Sequence, residues 1–362
     1  VHCTIIFVTA GAGHQIGESM AEKFTQPVNK RQLALKILGL LLGAFLIYWF
    51  VGNSDLNEIW GQLMKIRWRF LLLVAVMFTS FYVDTIGWRL CFPKQFRNLS
   101  LTDLFMIRLA GESLAQINPT NVIAGDTMKA VLLKRDGITY TTSIASLTLY
   151  RFITILAAAT FVIAGVFIFI DYIGVLADTG VILGGIALFL ALILYLFYRL
   201  QSGKGIFSLA TGIISAVSGK GEKSGKRLEK LDEIDTELIE FFRNDKVSFF
   251  LAYILSVLHR FPEVIEYYMI FSFLNIEATF LSCVAVSVGV TLFKALGSFI
   301  PGQLGIEEYG NKVMLDFIKV SGSSTWLSVS ILRRARQIVW IFLGVLAFIY
   351  LIKIKRTASE RA

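Results

Sequence analysis

Apolar residues in this chain collect in blocks separated by short polar stretches. A helix that crosses a hydrocarbon core about 30 Å thick needs roughly 20 apolar residues. Leu33–Val51, Phe70–Leu90, Thr141–Ile170, Val181–Tyr198, Val247–Phe273 and Trp326–Ile352 meet or approach that length, which predicts six full spans. Two other runs repeat at helical spacing instead. Asp55–Arg69 places Leu56, Ile59, Trp60, Leu63 and Ile66 on one face, and Lys226–Arg243 does the same with Leu228, Leu231, Ile234, Leu238 and Phe241. Both predict amphipathic helices lying in the membrane interface.

Two apolar segments are unfit to be ordinary spans. Thr102–Asn118 contains Asp103, Arg108 and Glu112, too many charges for a lipid-facing helix. Between Glu277 and Lys294 about 16 residues are available, roughly 24 Å at the helical rise. The first segment meets Asn118-Pro119-Thr120 and the second meets Pro301-Gly302. Thr102–Arg135 and Ala278–Lys319 therefore predict broken helical hairpins that dip partway into the bilayer. Irregular backbone at that depth is tolerated only where protein or a water-filled cavity satisfies it.

The order of elements repeats: span, amphipathic helix, span, broken hairpin, long span bearing arginine. Pro119 precedes Asp126 by seven residues and Arg151 by 32, while Pro301 precedes Glu308 by seven and Arg333 by 32. Halves of about residues 33–171 and 180–355 follow, with a tail over 1–32 and a short one over 356–362. Three full spans per half is an odd number, so the second half is expected upside down relative to the first, as in secondary transporters with inverted repeats. Asp171–Gly180 holds two Asp and no Lys or Arg, whereas Arg199–Lys246 and the C-terminal tail are basic. The positive-inside rule then places both termini in the cytoplasm. Lys65, Arg67 and Arg69, in a loop expected outside, run against this orientation.

Composition agrees with the pattern: 56% hydrophobic, 17% charged, 30 Phe, and a mean hydropathy of +0.68. The fold class expected is an all-α polytopic membrane bundle with about six spans and two re-entrant hairpins. The net charge of +9 reads as cations flanking anionic headgroups, since no basic run is interleaved with exposed aromatics as nucleic-acid binding requires. Cys3, Cys91 and Cys283 stand apart, and His2, His14 and His259 lack ligand spacing, so neither a disulfide framework nor a metal site is expected. Gly11-Ala12-Gly13-His14-Gln15-Ile16-Gly17 only loosely mimics a dinucleotide-binding turn and no βαβ unit follows. No cofactor is expected. Met20 reads as the natural start, with residues 1–19 as upstream translation. No nucleophile elbow, HExxH motif or Walker loop appears, so catalysis is not expected.

Candidate chemistry sits at the broken helices and at charges inside spans. Asn118-Pro119-Thr120-Asn121 with Gly125, Asp126 and Lys129 predicts free backbone N–H groups at the start of a short helix. Ile300-Pro301-Gly302-Gln303-Leu304-Gly305 with Glu307 and Glu308 predicts the same in the second half. Such N-termini attract anions; alternatively, Asp126 and Glu308 serve those helix starts as first-turn acids. Arg151, Arg260 and Arg333 lie at membrane depth, with Arg334, Arg336, His259, Glu263 and Glu266 nearby in sequence. Ionisable groups there are costly and usually functional. They predict a shared polar cavity, or else internal pairing such as His259 with Glu263 and Arg108 with Glu112 at i, i+4.

Gly87-Trp88-Arg89, Asn118-Pro119 with Gly125-Asp126-x-x-Lys129, Ile300-Pro301-Gly302-Gln303-Leu304-Gly305-Ile306-Glu307-Glu308 and Ile331-Leu332-Arg333 give the chain its family likeness. Over about residues 33–355 it resembles the flippase-like membrane domain of the lysylphosphatidylglycerol synthase family. That family often carries Gly where this chain has Gln303. The resemblance implies a lipid role in the inner (plasma) membrane. With no aminoacyl-transferase domain after Ala362, it implies no lysyl transfer. The expected partner is an anionic or glycosylated lipid, with Arg151 and Arg333 engaging phosphate and Asp126 and Glu308 gating or binding protons. A secondary transporter for a small polar solute, and a membrane partner of a lipid-modifying enzyme, remain as alternatives.

Overall fold

A computed structural model describes residues 66–117, 122–134, 137–168, 225–297, 305–320 and 325–359, with Met64, Gln303 and a few positions between 184 and 203. The expected span Leu33–Val51, most of the amphipathic run Asp55–Arg69, most of Val181–Tyr198, and the hairpin tips Asn118–Asn121 and Pro301-Gly302 lie outside the described residues.

Among the described residues the chain is helical and without strands. In chain order the helices are α1 (Phe70–Leu90), α2 (Leu101–Ile117), α3 (Val122–Lys134), α4 (Tyr140–Ile168), α5 (Gly225–Asn244), α6 (Lys246–Leu258), α7 (Phe261–Phe273), α8 (Phe280–Leu296), α9 (Ile306–Phe317) and α10 (Thr325–Ser359). Four stretches are long and apolar enough to cross a membrane: Arg67–Leu90, Tyr140–Phe167, Lys246–Phe273 and Thr325–Ile352. With large apolar side chains such as Leu71, Phe250, Ile338 and Phe342 on their outer faces, they make the protein an all-α, multi-pass membrane protein.

Both segments expected to break do so. The first gives α2 and α3, which pack on each other, and the second gives α8 and α9, also mutually packed. One of the spans is interrupted. Val247–Phe273 is not one continuous helix: α6 ends at Leu258, and α7 begins after Arg260 with Pro262 in its first turn. Proline is accepted there because a first-turn N–H has no intrahelical acceptor to lose. The break is tied to α1 through Ser80, whose Oγ lies 2.7 Å from His259 Nδ1 and donates to the His259 carbonyl at 3.2 Å.

Three apolar clusters hold the bundle. One joins the C-terminal end of α1 to α2–α6 around Trp88, Phe92, Ile107, Leu133 and Phe242. A second joins the start of α1 to α7, α8, α9 and α10 around Leu73, Tyr267, Phe271 and Val290. The third is smaller, with Met77, Leu109, Trp340 and Ala347 fastening α2 and α10 to α1. The amphipathic α5 lays its apolar face on this body through Ile234, Leu238 and Phe242. The turn after α1 is anchored to the α5–α6 junction by Arg97. Its Nη2 lies 2.5 Å from Asp245 Oδ2, its Nη1 donates to Ser248 Oγ, and its Nε donates to the Phe92 carbonyl. The helices thus close around a polar interior left between the two broken pairs.

Candidate functional site

Each broken pair delivers acids to an arginine on the following long helix. In the first half, Asp126 on α3 faces Arg151 on α4. Arg151 donates from Nε to Oδ2 and from Nη2 to Oδ1, both at 2.9 Å, a two-point contact that a planar guanidinium is built to make. Lys129, one turn along α3, reaches Glu112 Oε1 at 2.5 Å and Asp126 Oδ1 at 3.3 Å. Arg108 on α2 pairs with Asp84 on α1. The Arg151 side chain remains 40% exposed.

In the second half the pairing is tighter and shifted by one residue. Arg333 on α10 is 2% exposed and engages three carboxylates: Nε to Glu307 at 2.9 Å, Nη1 to Glu266 at 2.9 Å and Nη2 to Glu263 at 3.2 Å. Its guanidinium also lies over the Tyr267 ring, 4.3 Å from the centroid. Glu308, the acid matched to Asp126 by spacing, pairs instead with Arg334, at 2.6 Å from Nε. Arg336 reaches Glu266 at 2.7 Å, and Lys294 reaches Glu263 at 3.5 Å.

The halves meet in a polar cavity of about 320 Å³, lined among others by Glu112, Arg151, Arg260, Glu263, Lys294 and Arg333. A smaller cavity of about 190 Å³ adjoins it and shares Glu112, Arg151, His259 and Arg260, with Asp84, Trp88, Asp126 and Tyr150 on its far walls. A bridge crosses the larger one. Arg334 Nη1 donates to Gln337 Oε1 at 2.7 Å, and the Gln337 amide donates to Gln116 at the end of α2.

A family model for the transmembrane region of lysylphosphatidylglycerol synthase matches residues 36–350. The chain belongs to that family. Searches of curated proteins and of solved structures returned no match. Membership in the lysylphosphatidylglycerol synthase transmembrane family makes this a membrane protein of lipid-related type, and it gives the quoted motif residues their context.

Not every residue singled out in the sequence sits at the cavity. Asp126, Lys129, Arg151, Arg260 and Arg333 line one cavity or the other. Gly125 packs α3 against α2, where a Cβ would come within 2.6 Å of the Gly111 carbonyl oxygen. Gly305 ends the approach to α9, and its N–H is taken by Glu308 Oε2 at 2.8 Å. The second short helix therefore supplies its own carboxylate where an external anion was expected. Glu308 is thus a first-turn acid and an ion-pair partner at once, whereas Asp126 lies beyond the first turn of α3. Asn118, Pro119 and Pro301 lie outside the described residues. Gln303 has φ +52°, the left-handed region that favours glycine.

Among the described residues the alternative i, i+4 pairs, His259 with Glu263 and Arg108 with Glu112, form no hydrogen bond or ion pair. Glu263 turns to Lys294 and Arg333, His259 to Ser80, Arg108 to Asp84 and Glu112 to Lys129. A long-range partner on another helix wins because it lies inside the bundle. A helical neighbour offers only a weak surface pairing. Asp84 was missed, although one carboxylate inside the apolar run Phe70–Leu90 carries the same signal that singled out Arg151. Lys294, used in the sequence only as the end of an apolar run, is a cavity residue.

Proposed function

We propose that the protein is a flippase-like carrier of membrane lipid, admitting an anionic or glycosylated headgroup into the cavity between the helix pairs while the acyl chains stay in the bilayer. The observation that carries this reading is a polar cavity rich in ionisable groups, enclosed by apolar helices of spanning length. Charges at such depth are expensive and persist where they line a path for a polar group. Membership in a lipid-related family supports the same reading. In it, the headgroup competes with Asp126 for the half-exposed Arg151, and Arg333 holds the frame. The protein moves lipid without making or breaking bonds, and it works in the inner (plasma) membrane with both termini in the cytoplasm.

The test is reconstitution into liposomes with fluorescent phosphatidylglycerol, phosphatidylcholine and a glycolipid, each measured for exchange between leaflets. Exchange faster than in protein-free vesicles, and dependent on headgroup, is expected. Vesicles with protein that exchange all three lipids no faster than empty ones would remove the reading. One observation favours a second reading: about 320 Å³ also suits a small polar solute. Uptake of a solute into lipid-inert vesicles would select it.

A further inference from the structure

The two ends of the polar interior are unequally neutralised. Around Arg333, the cations Lys294, Arg333, Arg334 and Arg336 face the carboxylates Glu263, Glu266, Glu307 and Glu308, and every one of the eight has a partner. Around Trp88 three carboxylates, Asp84, Glu112 and Asp126, pair with Arg108, Lys129 and Arg151. Arg260 is a fourth cation on this side; Asp84 and Glu263 lie near enough to feel its charge, but among the described residues no carboxylate forms an ion pair with it within 4 Å. Its Nη2 reaches only the Thr154 carbonyl at 3.5 Å, and its Nε is buried without an acceptor. Four cations against three anions leave the compartment at +1.

Other donors end unanswered in the same space. Trp88 is 1% exposed and its Nε1–H has no acceptor. Nor have the Tyr150 hydroxyl and the Arg108 Nε and Nη1 a partner. These side chains, with Arg260, line the cavity of about 190 Å³ and come from three helices and the α6–α7 break. The unpaired Asp84 Oδ1 is an acceptor on the same wall. An unsatisfied buried donor is costly, and an unpaired buried charge costs more. Such a set persists where a ligand with several acceptor oxygens and one negative charge completes it.

We propose that this compartment is an anion subsite in which Arg260, with Arg108, Trp88 and Tyr150, holds a singly charged phosphodiester in preference to zwitterionic or cationic headgroups. Arg260 is the anchor because its guanidinium is uncommitted, whereas those of Arg151 and Arg333 are bound to carboxylates. Asp84 Oδ1 accepts a hydroxyl of the ligand. The inference rests on the proposed headgroup cavity and names the chemistry of its selective end.

The test is native mass spectrometry of the full-length, delipidated protein titrated with dioleoylphosphatidylglycerol or dioleoylphosphatidylcholine. The wild type is expected to bind one phosphatidylglycerol about tenfold or more tightly than phosphatidylcholine, the scale of one charge-assisted contact. Arg260→Gln brings that ratio close to one, Arg260→Lys retains part of it, and Trp88→Phe, which removes only the N–H, loses roughly threefold to tenfold. Soluble glycerophosphoglycerol is the second arm. Displacement of the lipid by it assigns the phosphodiester to a soluble source, and no displacement assigns it to a lipid. If the wild type holds no lipid and no glycerophosphoglycerol, this inference and the headgroup cavity both fall. If the wild type binds both lipids alike, or Arg260→Gln and Trp88→Phe keep the full preference, the anion subsite falls and the headgroup cavity stands.

Discussion

Arg151 and Arg333 occupy matching places in the two halves, 32 residues after Pro119 and Pro301, yet they end in opposite states. Arg151 holds one carboxylate and keeps 40% of its side chain exposed, while Arg333 holds three and is sealed at 2%. The difference comes from the surroundings. The second half brings Glu263 and Glu266 from α7 onto its arginine, whereas in the first Asp84 and Glu112 are taken by Arg108 and Lys129, which leaves Arg151 paired with Asp126. A repeated spacing therefore fixes which elements meet, and the neighbouring helix decides whether the meeting place is a staple or an exchangeable contact.

The sharpest way to break the comparison is to remove each arginine. Arg333→Ala leaves three carboxylates buried together and is expected to cost about 3–5 kcal/mol, enough to abolish folding in a marginally stable membrane protein. Arg333→Lys does not restore stability, because an ammonium cannot span three acids as the guanidinium does. Thermal unfolding in detergent, followed by a thiol-reactive dye on the buried Cys91 and Cys283, measures this. Next is Gly344→Ala on α10. A Cβ there collides with Ser113 Oγ and the Leu109 carbonyl of α2, so α10 and the first broken pair must separate. A loss of about 1–3 kcal/mol in the same assay is expected.

A smaller effect separates the arginines further. A double-mutant cycle on Asp126→Ala and Arg151→Ala should give a coupling of only about 1 kcal/mol, because the exposed guanidinium remains partly solvated. The smallest change lies outside the membrane and serves as a reference for both halves. Burial pushes the Asp245 carboxyl up, but the Arg97 guanidinium and the Ser248 hydroxyl and N–H outweigh it and hold it below the ordinary carboxylate value. Its contribution is complete near neutral pH and is lost as pH falls through that lowered value. Asp245→Asn keeps a capping acceptor but loses the charge facing Arg97, so it is expected to cost less than about 1 kcal/mol at pH 7 and to flatten the acid limb of the unfolding profile.

The helices were largely legible because apolar run length and helical spacing report directly on burial in lipid. Phe70–Leu90 appears with the predicted limits, and each proline-marked segment yields two separate, mutually packed helices. The candidate site was legible only in part. The repeated spacing matched Glu308 to Asp126 and Arg333 to Arg151, yet Glu308 pairs with Arg334 while Arg333 takes Glu307 with Glu263 and Glu266, since a one-residue step rotates a helical side chain by about 100°. The break at His259-Arg260 was hidden because α6 and α7 read as one apolar run with a single internal proline. Gly125 was assigned to a ligand and instead serves the α2–α3 crossing. Nothing in a linear pattern separates those two uses of glycine.

The claim on which the account turns is that the first-half arginine exchanges its carboxylate for a headgroup while the second-half arginine only holds the frame. The direct measurement is leaflet exchange of fluorescent phosphatidylglycerol per folded molecule in proteoliposomes, for the wild type and Arg151→Gln. Arg151→Gln is expected to unfold within a few degrees of the wild type yet to exchange lipid at least about tenfold more slowly. Wild-type exchange rates in folded Arg151→Gln would contradict it.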